Sequence, residues 1–168
     1  MKSESEVGSV IYSSASYRWF VVALLFLCSA LNYANRIALA TTFPLLRLDL
    51  HMSDVALAAV GSFFSWSYAF ASPVAGYIAD RFSRSRLIVI SLTVWSIAAG
   101  LAGFSATVGQ LLATRVLLGL AECIYMPAAV VLIASHHPVR TRATAMAIHL
   151  NGQNFGLIGG GFLGGYLG

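Results

Sequence analysis

Two long apolar runs flank a short basic segment, and this arrangement restricts the possible fold more than any other feature of the chain. Residues 54–75 contain one charged residue, Asp54, and residues 87–114 contain none. Each run can cross the hydrocarbon core of a bilayer, about 30 Å thick, because a helix rises about 1.5 Å per residue. The segment between them, residues 76–86, contains three arginines. We therefore expect two membrane-spanning helices joined by a tight loop outside the bilayer.

The composition supports the same class of protein. Hydrophobic residues make up 58% of the chain and charged residues 10%, with a mean hydropathy of +0.80, whereas soluble domains have about 25% charged residues. The net charge of +4 does not indicate a nucleic-acid partner, because the basic residues lie in short loops beside apolar runs and not in one patch. We expect an all-helical integral membrane protein surrounded by lipid.

The run lengths predict five spans, over about residues 18–43, 54–77, 87–105, 110–134 and 143–168, after a tail over residues 1–17. Pro44 is expected to end the first span before a short loop, and Ser53 or Asp54 to cap the second helix. The other predicted turns cover residues 76–86, 105–109 and 135–142. Twelve spans of about 20 residues do not fit into 168 residues. The expected unit is a partial, truncated transmembrane domain over residues 18–168.

Basic residues are distributed unequally between the two predicted faces of the membrane. Arg47 is alone on one side, and the other side has seven: Lys2, Arg18, Arg81, Arg84, Arg86, Arg140 and Arg142. Cytoplasmic loops carry an excess of lysine and arginine. We therefore expect the amino terminus in the cytoplasm and a multi-pass protein of the inner (plasma) membrane.

Ionisable groups inside membrane spans are costly and are therefore candidates for function. Three lie well inside the predicted spans: Arg36, Arg115 and Glu122. Arg36 also belongs to a polar stripe on the first span with Ser29, Asn32 and Asn35. We expect the three ionisable groups to converge on one cavity, as two arginines above a carboxylate. Guanidinium groups bind organic carboxylates or phosphates, and a buried carboxylate generally has a raised pKa that allows proton exchange.

A purely structural role is the alternative for these residues, with Arg115 and Glu122 neutralising each other between helices. They are seven residues apart, about 10 Å along the helix axis, so a direct pair needs both side chains extended. His149 and Gln153 are expected to make interhelical hydrogen bonds. Cys28 and Cys123 are expected to be packing residues. The sequence shows no metal-ligand spacing and no nucleophile and base set, so we expect neither an enzyme nor a bound cofactor or metal.

The basic segment resembles the loop signature of the major facilitator superfamily, G-x-x-x-D-[RK]-x-G-[RK]-[RK]. The matching residues are Gly76, Asp80, Arg81 and Arg84, whereas Ser83 replaces the second glycine and Ser85 a basic residue. The resemblance implies a bundle of two six-helix halves, of which this chain is most of the first, and it assigns the four residues to a gating loop. Asp80 is expected to be a gate element that latches an outward-open state, and not a substrate ligand. The alternative is that Asp80 only caps a helix and pairs with local arginines.

The glycine-rich fifth span resembles the superfamily pattern G-x-x-x-G-P-x-x-G-G. Gly156, Gly160, Gly164 and Gly165 match it, and Gly161 stands at the proline position. Small residues every four positions allow another helix backbone to approach closely. We therefore expect a helix-packing face on this span.

Two further segments resemble the anion:cation symporter branch and the Spinster-like branch of that superfamily. Residues 31–36 are similar to their N-Y-x-D-R element, with Asn35 in place of the aspartate, and residues 115–122 are similar to R-x-x-x-G-x-x-E. The resemblance implies that Arg36 contacts the substrate anion and that Glu122 takes part in proton coupling, with Asn32, Asn35 and Arg115 beside them.

These observations predict a secondary active transporter, coupled to protons and specific for a small organic anion. Its partners would be the solute, protons, lipid and a missing carboxy-terminal half. A Spinster-like lipid carrier is one alternative. The other is a truncated membrane fragment that transports nothing.

Overall fold

The structure is a computed structural model that describes residues 14–167, and the side chains of residues 14–166. This part of the chain is all helical. The helices are α1 (Ala15–Thr41), α2 (Phe43–Asp49), α3 (Asp54–Arg81), α4 (Arg84–Gly103), α5 (Val108–His136) and α6 (Val139–Leu167). The first part of the predicted tail, residues 1–13, lies outside the described residues, and Ala15 to Tyr17 belong to α1.

Three helices begin at a hydroxyl side chain that caps the first turn. The Oγ atoms of Ser14 and Ser53 accept hydrogen bonds from the backbone N–H of Tyr17 and Ala56, at 3.4 and 3.2 Å. Thr107 caps α5 in the same way. Such caps satisfy backbone donors that have no partner inside the helix. The predicted cap of the second span at Ser53 is therefore confirmed.

The prediction of a loop after Pro44 was wrong. α1 ends at Thr41, and Pro44 lies in the first turn of the short helix α2. Proline fits a first turn because its missing N–H would have no helical partner there. His51, in the turn that leads to α3, has a positive φ of 49°.

The basic segment is also less of a loop than predicted. α3 continues through Asp80 to Arg81 and α4 begins at Arg84, so only Phe82 and Ser83 connect the two helices. The predicted loop over residues 135–142 likewise shrinks to His137 and Pro138, and the turn predicted at 105–109 lies at 104–107. The helices continue beyond the apolar runs for two reasons. Alanine and arginine are good helix formers, and long charged side chains reach water from a helix end.

Four helices are long and apolar enough to cross a membrane: α1, α3, α4 and α5. α6 has 29 residues, but it is not among them. Its glycines and its polar residues Asn151, Gln153 and Asn154 make it less apolar than the others. The fifth span remains a prediction.

The helices pack as two groups. α1 lies along α6, whereas α5 lies between α3 and α4, and contacts between the two groups are few. We call the end of the bundle with Arg18, Arg84 and Arg140 the basic end. A large apolar cluster near that end contains Leu25, Leu87, Tyr125 and Ile133, and a small cluster around Met52, Val60 and Leu111 lies at the opposite end. The polar site described next lies between them.

Candidate functional site

An ion pair joins the two helix groups. Arg36 Nη2 of α1 lies 2.6 Å from Glu122 Oε2 of α5. The Glu122 side chain is 5% exposed and that of Arg36 is 36% exposed. A charge-assisted hydrogen bond of this length is strong, particularly away from water. The expectation of two arginines above one carboxylate was therefore only partly correct, because Arg36 alone bonds Glu122.

Two aromatic rings hold the Arg36 guanidinium. Its central carbon lies 4.3 Å from the ring centroid of Phe64 on α3 and 5.0 Å from that of Tyr33. Both distances are within the range of cation–π attraction. Sequence reasoning missed both rings. The i, i+3 spacing of Tyr33 and Arg36 was a usable signal, but nothing local to Phe64 indicates its partner on another helix.

Two cavities meet at the ion pair. The basic-side cavity has a volume of about 280 Å³ and is lined by Ser29, Asn32, Tyr33, Arg36, Phe64, Ser65, Tyr68, Glu122, Tyr125, Met126 and Gln153. The far-side cavity has a volume of about 260 Å³ and is lined by Asn35, Arg36, Leu39, Ala40, Phe43, Val60, Gly61, Phe64, Ser65, Arg115, Leu118 and Glu122. Arg36 and Glu122 belong to both walls. The polar stripe of α1 is thus divided, with Asn32 in one cavity and Asn35 in the other.

Arg115 has a different environment from Arg36. It is 5% exposed and lines the far-side cavity. Within residues 14–167 it makes no ion pair, and its buried Nε has no hydrogen-bond partner. The alternative of a structural ion pair between Arg115 and Glu122 is not observed, since the carboxylate of Glu122 is bonded to Arg36.

α4 also reaches the site. Trp95 lines a crevice with Glu122, Asn32 and Ser91 that is too narrow to hold a water molecule. Its buried Nε1 has no hydrogen-bond partner among the described residues. Ser91 Oγ donates to the Ala121 carbonyl at 2.6 Å and so fixes α4 beside Glu122. Sequence reasoning missed Trp95 because it considered ionisable groups and this span has none.

His149 and Tyr125 meet at one backbone carbonyl of α1. Tyr125 Oη donates to the Leu25 carbonyl oxygen at 3.0 Å, and His149 Nδ1 lies 3.2 Å from the same atom. A carbonyl only accepts, so Nδ1 carries the proton, and the buried Nε2 has no partner among the described residues. The interhelical hydrogen bond predicted for His149 is confirmed. Gln153 instead lines the basic-side cavity.

Comparison with known proteins decides the family. The family model described as Major Facilitator Superfamily matches residues 25–168. The chain belongs to the major facilitator superfamily. It is 36% identical over 149 residues to the "Probable galactarate/D-glucarate transporter GudP" of Bacillus subtilis (strain 168), an alignment that covers 85% of this chain and 33% of that protein. It is 33% identical to the "Probable anion transporter 2, chloroplastic" of Oryza sativa subsp. japonica, over 89% of this chain and 29% of that one.

A solved structure has the same fold as this part of the superfamily. It is described as a bacterial homolog to the human lysosomal transporter Spinster, in an inward-facing and unoccupied conformation. The TM-score is 0.87 with 28% identity, over 92% of this chain and 33% of that chain. The chain thus spans about a third of the length of the relatives it matches. The superfamily and the four helices that are long and apolar enough to cross a membrane together identify this chain as part of a multi-pass membrane protein.

The superfamily loop residues lie at the basic end, at a distance from the ion pair. Asp80 is exposed in the last turn of α3 and makes no ion pair within residues 14–167. Ser83 is the residue that caps α4, without a side-chain hydrogen bond. Arg81 stacks on Tyr77, with 4.5 Å between the guanidinium carbon and the ring centroid. The alternative of capping and local pairing for Asp80 is therefore not observed, and its gating role remains a prediction, as do those of Gly76, Arg81 and Arg84.

The superfamily glycine pattern forms the contact between α6 and α1. A Cβ atom at Gly156 would overlap the carbonyl group of Ala30, and one at Gly160 would lie 2.5 Å from the carbonyl oxygen of Ala34. The predicted packing face is confirmed, and its partner is α1. Gly165, which also matches the pattern, faces open space.

The two cysteines pack as expected. Cys28 lies against the large apolar cluster, and the Cys123 thiol donates to the Leu120 carbonyl at 3.1 Å. Within the described part of the chain, no group of three histidine, cysteine, aspartate or glutamate residues could hold a metal ion.

Proposed function

We propose that this chain is the amino-terminal part of a proton-coupled secondary transporter for a small organic anion. The observation that carries the proposal is the ion pair of the partly exposed Arg36 with the buried Glu122, at the wall shared by two cavities. A salt bridge inside an apolar bundle contributes little to stability on balance. A functional role therefore explains its presence better than a structural one. Binding of an anion to one partner and of a proton to the other supplies that role.

The pair links the two binding events through charge. An anion that enters either cavity competes with the Glu122 carboxylate for the Arg36 guanidinium. Displacing Arg36 leaves the buried Glu122 carboxylate uncompensated. The cost is below that for a fully buried pair, about 3–5 kcal/mol, because Arg36 is partly exposed. Protonation of Glu122 removes that cost, since its side chain is then neutral. Anion and proton are therefore bound together, with Arg36 as the anion ligand and Glu122 as the proton carrier.

The names of two relatives support this type of solute. One is described as a galactarate/D-glucarate transporter and the other as an anion transporter. The two cavities, at about 280 and 260 Å³, are slightly smaller than the usual range for ligand pockets, about 300–1,000 Å³, which agrees with a small solute. The distribution of arginine supports a basic end that faces the cytoplasm, and we propose the plasma membrane as the location.

A lipid carrier is the second candidate, because the solved relative is a homolog of Spinster. Its cavity would need to open sideways to the bilayer. Lysophospholipid uptake by the same proteoliposomes, without uptake of D-glucarate, would favour it. An absence of both activities would favour the fragment without transport.

Replacing Glu122 with glutamine tests the proposal in the full-length protein that contains this chain. In proteoliposomes, we expect the wild-type protein to accumulate D-glucarate when an inward proton gradient is applied. Glu122→Gln should retain exchange of labelled for unlabelled solute but lose accumulation driven by the gradient. The matched control is Asp54→Asn, which breaks the exposed pair of Arg47 and Asp54, 3.1 Å long, and should leave both activities intact. Unchanged gradient-driven accumulation by Glu122→Gln would exclude Glu122 as the proton carrier.

A further inference from the structure

Arg115 carries a buried positive charge that forms no ion pair with an acidic side chain within the described residues. That part of the chain contains four acidic residues: Asp49, Asp54, Asp80 and Glu122. The first two are exposed near α2, and Asp80 is exposed at the basic end. Glu122 is bonded to Arg36. One carboxylate therefore faces two guanidinium groups.

Arg115, which makes no ion pair within the described residues, lines a cavity. Arg115 is 5% exposed, and its Nε is buried without a hydrogen-bond partner in residues 14–167. The far-side cavity brings it together with Asn35, Ser65 and Arg36. A guanidinium has five N–H donors in a fixed plane, which match the two oxygens of a carboxylate. The cavity therefore offers an anionic group a site with unused donors.

We propose that Arg115 binds a second anionic group of the transported solute while Arg36 binds the first, which makes the site selective for dianions. This inference rests on the proposed function and specifies its substrate class. When Glu122 is protonated, Arg36 and Arg115 leave two positive charges in the site, and a dianion neutralises both. A monoanion leaves one of them buried and unpaired, which is unfavourable.

Asn35 is part of the same selectivity. It lines the far-side cavity with Arg115 and is neutral. An aspartate at this position would put a negative charge in the cavity and would weaken its attraction for a second anionic group of the solute. The neutral amide leaves that attraction intact.

The test compares D-glucarate with D-gluconate, which has the same six-carbon chain but one carboxylate. Affinities are measured by calorimetry on the purified full-length protein, at one pH and ionic strength. We expect the wild-type protein to bind D-glucarate about ten- to a hundredfold more tightly, the range for hydrogen bonds to a charged group. Arg115→Gln should reduce this ratio to about one. Asn35→Asp should also reduce it, although it leaves the arginine in place and so does not depend on how well Arg115→Gln folds. Arg47→Gln, at an exposed site, is the control and should keep the wild-type ratio.

Several results would overturn the inference. Equal affinities for the two solutes in the wild-type protein, both lost in Arg36→Gln, would refute the second anion site and leave the proposed function standing. A wild-type ratio in Arg115→Gln or Asn35→Asp would refute the roles given to these residues. Gluconate binding that chloride strengthens in the wild type but not in Arg115→Gln would show that Arg115 holds a free inorganic anion. Failure of both solutes to bind would remove the proposed function together with this inference.

Discussion

Adding one methyl group at Gly156 or Gly160, on the glycine face of α6, should destabilise the protein, whereas adding one at Gly159 or Gly165 should not. Ordinary contacts of a Cβ atom begin at about 3.4 Å, but a Cβ at Gly160 would lie 2.5 Å from the carbonyl oxygen of Ala34. The two backbones would have to separate by about 0.9 Å. A gap of that size loses about a quarter to a half of the dispersion energy of the atoms on either side.

The expected cost of Gly160→Ala or Gly156→Ala is about 1–3 kcal/mol, the range for overpacking a tight contact. The atoms they would meet belong to the backbone of Ala34 and Ala30, which cannot move aside as a side chain can. The double variant should cost less than the sum, because one separation of the helices relieves both overlaps. Gly164→Ala should be milder, since its neighbour is the side chain of Thr41.

The measurement is thermal unfolding of the purified protein in detergent. For a domain of this size, about 1 kcal/mol corresponds to about 2–4 °C in the melting temperature. Gly159→Ala and Gly165→Ala on the same helix are the matched controls, because nothing lies within 4 Å of either added Cβ. They should be neutral or slightly stabilising, since alanine favours a helix over glycine by about 1 kcal/mol. Equal melting temperatures for Gly156→Ala, Gly160→Ala and Gly159→Ala would refute the packing of α6 on α1 through this face.

Two further predictions concern the ends of the helices. Ser53→Ala removes the hydroxyl that accepts a hydrogen bond from Ala56 N–H and should lower the free energy of unfolding by about 1 kcal/mol. The control is Ser62→Ala, whose hydroxyl is exposed within α3, and equal melting temperatures of the two variants would contradict the cap. Burial lowers the pKa of His137, and the nearby charges of Arg18 and His136 lower it further, although a hydrogen bond to the Arg18 carbonyl opposes this shift. Stability should therefore be complete above about pH 6.5, the ordinary histidine value, and should fall as the pH drops towards the lowered value, because the unfolded chain takes up the proton first. Below about pH 6.5, the melting temperature should depend less on pH in His137→Gln than in the wild type, whereas the exposed control His51→Asn should keep the wild-type dependence. Identical pH profiles for the wild type and His137→Gln would exclude the effect.

The sequence predicted the helices well because their signals are local. Apolar run length, capping hydroxyls such as Ser53 and glycines at every fourth position are each visible within the sequence of one helix. The ends of the helices at the basic segment were less predictable. The sequence shows that Asp80 and Arg81 lie outside the apolar run, but an exposed helical turn and a loop satisfy that condition equally well.

The pairing inside the site could not be predicted for a different reason. Arg36 and Arg115 were both reasonable partners for Glu122, and the choice depends on the axial register of α1 against α5. That register is set by packing across the bundle, including the contact of α1 with the glycine face of α6 and the hydrogen bond from Tyr125 to the Leu25 carbonyl. No short segment of the sequence contains this information.

The division of the bundle into two helix groups has a mechanical consequence. α1 and α6 are held together by backbone contact, and α3, α4 and α5 by close packing, while few contacts cross between the groups. The polar contacts of Arg36 with Glu122 and of Tyr125 with the Leu25 carbonyl lie on that boundary. A change of charge at Arg36 or Glu122 therefore alters the interface between two rigid helix groups. It can rotate one group relative to the other without changing the packing inside either group.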